Sequence, residues 1–279
     1  MSDIGLSFLA GLDRPALVGM IHVGALPGTP RSRLTVGQLV RAAVVEAGVL
    51  AEGGVDAILL ENMHDVPYLN RRVGPEIVAA MTAVCGAVRE AVSLPLGVQI
   101  LAGANREALA VAHTVGCQFV RCENFVFAHV ADEGLMPEAD AGPLLRYRRM
   151  IGAEDVAIIA DVKKKHSAHA LTADVSLAET ARAAVFFGAD GVVVTGRATG
   201  EATRVEDVAA AAEAVDQAVF VGSGVTPASV PALAPHADAL IVGSYLKRGG
   251  TWENEPDPER VAAMVKAVRS VARGGVSSR

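Results

Sequence analysis

Hydrophobic residues in this chain come in short unbroken runs. The runs are ALVGMIHV from Ala16, DAILLEN from Asp56, PLGVQIL from Pro95, CQFVRCEN from Cys117, VAIIADVK from Val156, DGVVVTG from Asp190, AVFVGSG from Ala218 and DALIVGS from Asp238. Each is rich in β-branched residues and short enough to be a strand, and an unbroken apolar run predicts a strand buried on both faces. Between the runs, apolar residues recur at spacings of three and four, which predicts helices. TVGQLVRAAVVEAGVLAEGG stops at Gly53 and Gly54, and GPEIVAAMTAVCGAVREAV carries Pro75 in its first turn. NREALAVAHTVG reads as a helix with Asn105 as N-cap and Gly116 as its stop. DVSLAETARAAVFFGAD, RVEDVAAAAEAVDQ, the short TPASVPALAPH and DPERVAAMVKAVRSVARGG continue the series, and LLRYRRMI, ending at Ile151, has the weakest helical periodicity.

Eight strands alternating with eight helices predict an α/β fold, a single-domain (β/α)8 TIM barrel. An open doubly wound sheet is the competing arrangement, but it expects a GxGxxG turn after the first strand, where this chain has GALPGTPR. No Pro/Ser/Gly-rich linker divides the pattern. Residues 15–272 are assigned to the barrel, 1–14 to an N-terminal extension and 273–279 to a frayed tail.

Composition narrows the picture. Of 279 residues, 51% are hydrophobic but only 4% aromatic, so Ala, Val, Leu, Ile and Gly must build the core. The net charge of -6 argues against a nucleic-acid partner, which needs a basic face. Cys85, Cys117 and Cys122 lack metal-site spacing and fit a reducing compartment. No apolar run reaches the roughly 18 residues of a membrane span, so membrane insertion is not expected. The start, MSDIGLSFLAGLDRP, puts two acids before its first Arg and makes a poor targeting peptide. A cytoplasmic protein is expected, and a homo-oligomer is left open.

Barrel chemistry sits at the C-terminal ends of the strands. Those ends supply His22, Glu61 and Asn62, Gln99, Arg121 and Glu123, Asp161 and Lys163, then Thr195 and Arg197. Period-two alternation puts Arg121 with Glu123 and Asp161 with Lys163 on inward faces. Asp161, Lys163, Glu61, Glu123 and His22 are the catalytic candidates. The acids suit general acid–base work, and a desolvated inward lysine, Lys163 above all, suits a Schiff base. A self-compensating charge cluster is the structural alternative. Gln99, Arg121, Asn62, Thr195, Arg197 and His166 are the substrate-binding candidates. Lys164 is expected to face solvent, while Lys165, His166 and His169 form a closing loop. The long segment after strand two, ENMHDVPYLNRRVGPE, is a candidate lid.

The last two strands end in Gly222-Ser223-Gly224 and Gly243-Ser244. Loops at these strands are the usual phosphate site of such barrels. The following short helix, with Thr226 as cap and Pro227 in its first turn, would add a favourable dipole. Lys247 and Arg248 are the candidate countercharges. A phosphorylated small molecule is therefore the expected partner. No metal residue is assigned, although Glu61, Glu123 and Asp161 would suit Mg²⁺ as a cofactor if they converged.

VGMIHVGALPGTPR, GVDAILLENMHDVPY, IADVKKKHSAH, GADGVVVTGRATG and VGSGVTPASV together resemble the BtpA/SgcQ family, over about residues 15–272. That resemblance implies a (β/α)8 barrel. The family's founding member is associated with photosystem I accumulation in cyanobacteria, and other members occur alongside sugar-uptake and sugar-kinase functions. The resemblance therefore implies a small-molecule activity and transfers no catalytic residue. The resulting expectation is an enzyme acting on a phosphorylated sugar or nucleotide-like metabolite by acid–base or lyase chemistry. The rival readings are an assembly factor for a membrane complex and a metal-dependent hydrolase.

Overall fold

The computed structural model describes residues 4–196 and 201–271. Eight parallel strands close into a barrel: β1 (Ala16–His22), β2 (Ala57–Glu61), β3 (Leu96–Gln99), β4 (Phe119–Cys122), β7 (Ala157–Val162), β9 (Gly191–Thr195), β10 (Ala218–Gly222) and β11 (Ala239–Val242), in the order β1-β11-β10-β9-β7-β4-β3-β2. Nearly every residue of these strands is buried, because the helices cover one face and the barrel interior the other. The helices are α1 (Val36–Gly53), α2 (Pro75–Ala91), α3 (Asn105–Val115), α4 (Ala141–Met150), α5 (Leu177–Phe186), α6 (Val205–Ala214), α7 (Val230–Leu233) and α8 (Pro258–Arg269). In α1, Thr35 and Gln38 form a reciprocal capping box, Leu39, Ala43, Ala47 and Leu50 face the core, and Gly54 ends the helix in the left-handed region.

Two helix starts differ from the sequence expectation. Ala104, not Asn105, caps α3; the Asn105 amide instead donates to the Glu123 carbonyl at 2.8 Å and to Asp140 Oδ2 at 2.7 Å. It therefore ties the start of α3 to the segment after β4. The helix after β10 runs from Val230, with Pro231 in its first turn, and is preceded by a turn in which Ser229 Oγ accepts from the Thr226 N–H and donates to the Thr226 carbonyl, both at 3.0 Å. A four-residue helix at that distance adds no useful dipole to the loop before it.

Alternate residues of each strand fill the barrel. Leu59, Phe119, Ile159, Val193 and Phe220 are fully buried there. Gly97 makes room for Phe119: a Cβ on Gly97 would lie 2.1 Å from the ring. At the N-terminal end of the barrel, a 3-10 helix over Ile4–Leu9 covers the interior, and the Phe8 ring stacks on Phe119 with centroids 5.7 Å apart.

At the opposite end lies an element that the hydrophobic pattern did not predict. β5 (His129–Ala131) and β6 (Gly134–Met136) form a hairpin, and β8 (Ser167–Ala168) pairs with β5. The long segment after β2 is stitched to it. Asn70 donates to the Leu135 carbonyl at 3.0 Å, and Arg71 pairs with Asp140 at 2.7 Å.

Candidate active site

The inward strand ends converge on one cleft. His22 lies opposite Glu61, and Glu61 opposite Gln99, across neighbouring strands. The cleft encloses about 760 Å³ including its open mouth. It is lined by His22, Glu61, Arg121 and Lys165 together with Ser223–Thr226, Gly243–Tyr245 and Arg260. Met20, Met63 and Ile241 supply apolar wall. Ser223 and Gly224 both have positive φ, 77° and 63°. Only glycine fits at 224, where a Cβ would lie 2.3 Å from the Glu201 carbonyl oxygen. Thr203 Oγ1 donates to the Gly222 carbonyl at 2.8 Å and holds this turn in place. Arg260, in the first turn of α8, donates through Nε to the Tyr245 carbonyl at 2.6 Å and sits 4.3 Å over the Tyr245 ring. Its guanidinium is thereby aimed along the cleft wall.

Burial sets the protonation states. The His22 Nδ1 lies 3.0 Å from the Trp252 carbonyl, which can only accept, so Nδ1 carries the proton and Nε2 presents a lone pair. Gly243 leaves space for that edge of the ring, since a Cβ there would lie 2.9 Å from Nε2. Burial, and then the charge of Lys247, push the His22 pKa down to about 3. Burial raises the Glu61 carboxyl above its ordinary range, with Arg121 and Lys165 opposing the rise. Burial also lowers Lys165, with Glu61 opposing and Arg121 assisting. The cleft thus holds a neutral imidazole and shifts both the Glu61 carboxyl and the Lys165 amine toward their uncharged forms.

A model of the BtpA family matches residues 13–270. The chain belongs to the BtpA family. A Caenorhabditis elegans relative, "Uncharacterized protein F13E9.13, mitochondrial", is 45% identical over 96% of this chain and 98% of its own length. The photosystem I biogenesis protein BtpA of Synechocystis is 36% identical over 90% of this chain and 87% of its own. Among solved structures, (S)-3-O-geranylgeranylglyceryl phosphate synthase from Thermoplasma acidophilum, in complex with sn-glycerol-1-phosphate, superposes with a TM-score of 0.61. It covers 96% of this chain and 98% of its own at 16% identity, a likeness of fold alone.

Within this BtpA-family barrel, several expected residues take other places. Asp161 is held by Arg121 through two bonds, Nε–Oδ1 at 2.9 Å and Nη2–Oδ2 at 3.1 Å, with side chains 1% and 5% exposed. It orients Arg121 and does not line the main cleft. The strand ends at Val162 and Lys163 turns to a φ of 50°, which breaks the alternation. Lys163 Nζ donates to the Thr172 carbonyl at 2.8 Å. Lys164, expected in solvent, is buried and bonds Glu123 at 3.0 Å, with Glu133 of the hairpin turn 3.9 Å away. Glu123 is thereby part of a clasp between barrel and hairpin. Lys165 reaches the cleft, its backbone N–H donating to Thr195 Oγ1 at 3.1 Å.

Asn62 spends both ends of its amide internally. It donates to Asp65 at 2.8 Å and accepts from the Leu101 N–H at 2.7 Å. Gln99 is buried, and its Oε1 has no hydrogen-bond partner among the described residues. His166 is exposed, 3.6 Å from Asp132 on the hairpin turn. Gly222 lies just below the cleft lining, where a Cβ would come within 3.8 Å of Arg121. Gly243, Ser244, Ser223 and Gly224 line the cleft as expected, and Arg197 lies outside the described residues.

Lys247 does not serve as countercharge: it is fully buried and paired with Glu46 on α1. Arg260 lines the cleft instead, and sequence reasoning passed over it. Its signal was faint, a single cation in the DPER start of the helix that follows the last strand. The three carboxylates suited to Mg²⁺ do not form a cation cage. Arg121 holds Asp161 and Lys164 engages Glu123, and no cluster of three His, Cys, Asp or Glu among the described residues is arranged for a metal.

Proposed function

We propose that this BtpA-family protein is an enzyme acting on a phosphorylated sugar or related metabolite by acid–base chemistry. One observation carries the reading: a single cleft is lined by two glycine–serine turns and an arginine together with a histidine, a carboxylic side chain and a lysine. The turns and Arg260 suit a phosphate, through backbone N–H groups and one fixed cation. His22 and Glu61 suit the reacting end, with a hydrogen-bond acceptor at Nε2 and a carboxyl whose hold on a proton burial strengthens. Arg121, fixed by Asp161, supplies a positive charge for an oxygen that becomes anionic. The Thermoplasma synthase, whose bound substrate is a glycerol phosphate, shares this architecture, which agrees with the reading without deciding it.

Calorimetry or thermal shift with inorganic phosphate, ribose 5-phosphate and glucose 6-phosphate tests it. Arg260→Gln removes a charge-assisted hydrogen bond and should weaken phosphate binding by about tenfold or more. Absence of binding and turnover with every phosphorylated compound would remove the proposal. The name of the Synechocystis relative supports a second reading, a role in assembling a membrane complex. That reading expects Glu61→Gln and His22→Gln variants to keep full cellular function.

A further inference from the structure

Three consecutive lysines follow β7, and each has a different fate. Lys163 Nζ is spent on the Thr172 carbonyl, and Lys164 on Glu123 beneath the hairpin. Lys165 lines the main cleft, where no other lysine is found among the lining residues. Two left-handed residues, Lys163 and His166, bracket Lys164 and Lys165 and set the path of the backbone there. The anchor from the Lys165 N–H to Thr195 Oγ1 fixes the loop against β9. Glu61 and Arg121 line the same cleft, and Asp161 immobilises Arg121.

We infer that Lys165 is a covalent catalyst whose Nζ condenses with the aldehyde or ketone carbonyl of a phosphorylated sugar. The inference rests on the phosphate-binding reading above and narrows it to carbonyl substrates. The Nζ lone pair attacks the carbonyl carbon and forms the C–N bond, while the C=O π pair moves to oxygen. The oxygen takes the Glu61 proton. The nitrogen then returns a proton to the Glu61 carboxylate, leaving a neutral carbinolamine. Glu61 protonates the departing hydroxyl, water leaves, and the nitrogen lone pair completes a protonated C=N. The new positive charge ends beside the Glu61 carboxylate. His22 Nε2, on the same cleft, is placed to accept a hydrogen bond from a hydroxyl on the carbon next to the iminium.

Two further features suit this chemistry. An amine attacks only when neutral, and burial beside a fixed arginine favours that form. Carbonyl addition needs a proton donor at hand, and burial strengthens the hold of the Glu61 carboxyl on its proton. The phosphate end of the cleft would hold the carbonyl near the amine, which turns the addition into an intramolecular event.

The test is borohydride trapping of the full-length protein with glyceraldehyde 3-phosphate, ribose 5-phosphate and ribulose 5-phosphate, read by peptide mass spectrometry. The expected adduct is the sugar phosphate less one oxygen, carried on Lys165. It should exceed the label on exposed Lys266 by about tenfold or more, since a sugar phosphate held in the cleft adds to Lys165 as an intramolecular partner. It should fall when inorganic phosphate competes, and it should vanish in Lys165→Arg. Lys165→Arg keeps a long basic side chain but no amine nucleophile and should still bind inorganic phosphate, which shows that it is folded. Equal labelling of Lys165 and Lys266, or no Lys165 adduct while inorganic phosphate binds, overturns the covalent role and leaves the phosphate site standing. Failure of the wild-type protein to bind phosphate or any of these compounds overturns both.

Discussion

At His22 one hydrogen bond decides what the residue can do. The Trp252 carbonyl takes the Nδ1 proton, and burial keeps the ring from gaining a second one. The pH dependence follows in sign. The folded pKa of about 3 lies below the ordinary 6.5, so the unfolded chain takes up a proton that folded His22 refuses. The contribution of His22 to stability is present above pH 6.5 and is lost as pH falls toward about 3. Urea unfolding across pH 4 to 6 should therefore show a steeper loss in wild type than in His22→Gln, by up to about 1.4 kcal/mol per pH unit. Parallel curves would contradict a buried neutral ring.

At this scale, alternation along the strands made much of the cleft legible. His22, Glu61, Arg121 and Asp161 all sit on inward positions of a closed barrel, and period two assigns them there. It failed one residue beyond the strand. Counting onward from Asp161 gave Lys163, but the left-handed turn at that position handed the cleft to Lys165. A positive φ at a lysine has no mark in sequence, so the error belongs to backbone geometry. The role of Asp161 was equally hidden, because an inward acid reads the same whether it faces a ligand or an arginine.

Between elements, packing inside the barrel depends on glycine placed across from aromatic rings. β3 gives up a side chain at Gly97 so that Phe119 of β4 can cross the interior. Gly97→Ala should cost about 1–3 kcal/mol through overpacking, and Phe119→Leu in that background should recover part of it. Chemical denaturation of the single and double variants measures both steps, and an unchanged Gly97→Ala midpoint would refute the account. The strands and most helices were legible because continuous apolar runs and the Gly54 and Gly116 stops mark them. The β5–β6 hairpin was not. Its three-residue strands are too short for a hydrophobic pattern, and Val130 and Leu135 on them are exposed. The Asp-Glu-Gly turn, with Gly134 at a φ of 104°, was the one available cue.

Across the whole molecule, the two ends of the barrel do different work. The C-terminal end holds the cleft, and the N-terminal end is sealed by the Ile4–Leu9 helix. Gly5 fits so tightly there that a Cβ would lie 2.5 Å from the Gln118 carbonyl oxygen. Removing residues 1–12 strips Leu6, Phe8 and Leu12 from the interior cluster. The melting temperature should fall by several degrees while phosphate affinity stays within about twofold, since hydrophobic cover and cleft share no residues. Loss of binding in a truncated protein that remains folded would show that the ends are coupled.

The sealed floor also governs traffic. Phe119, Phe220, Ile159 and Val193 leave no passage down the barrel axis, so the cleft is a dead end with one doorway. Whatever enters the cleft must leave by the same route. An occupant then stands in the path of the next arrival, and exchange at the site waits on its departure.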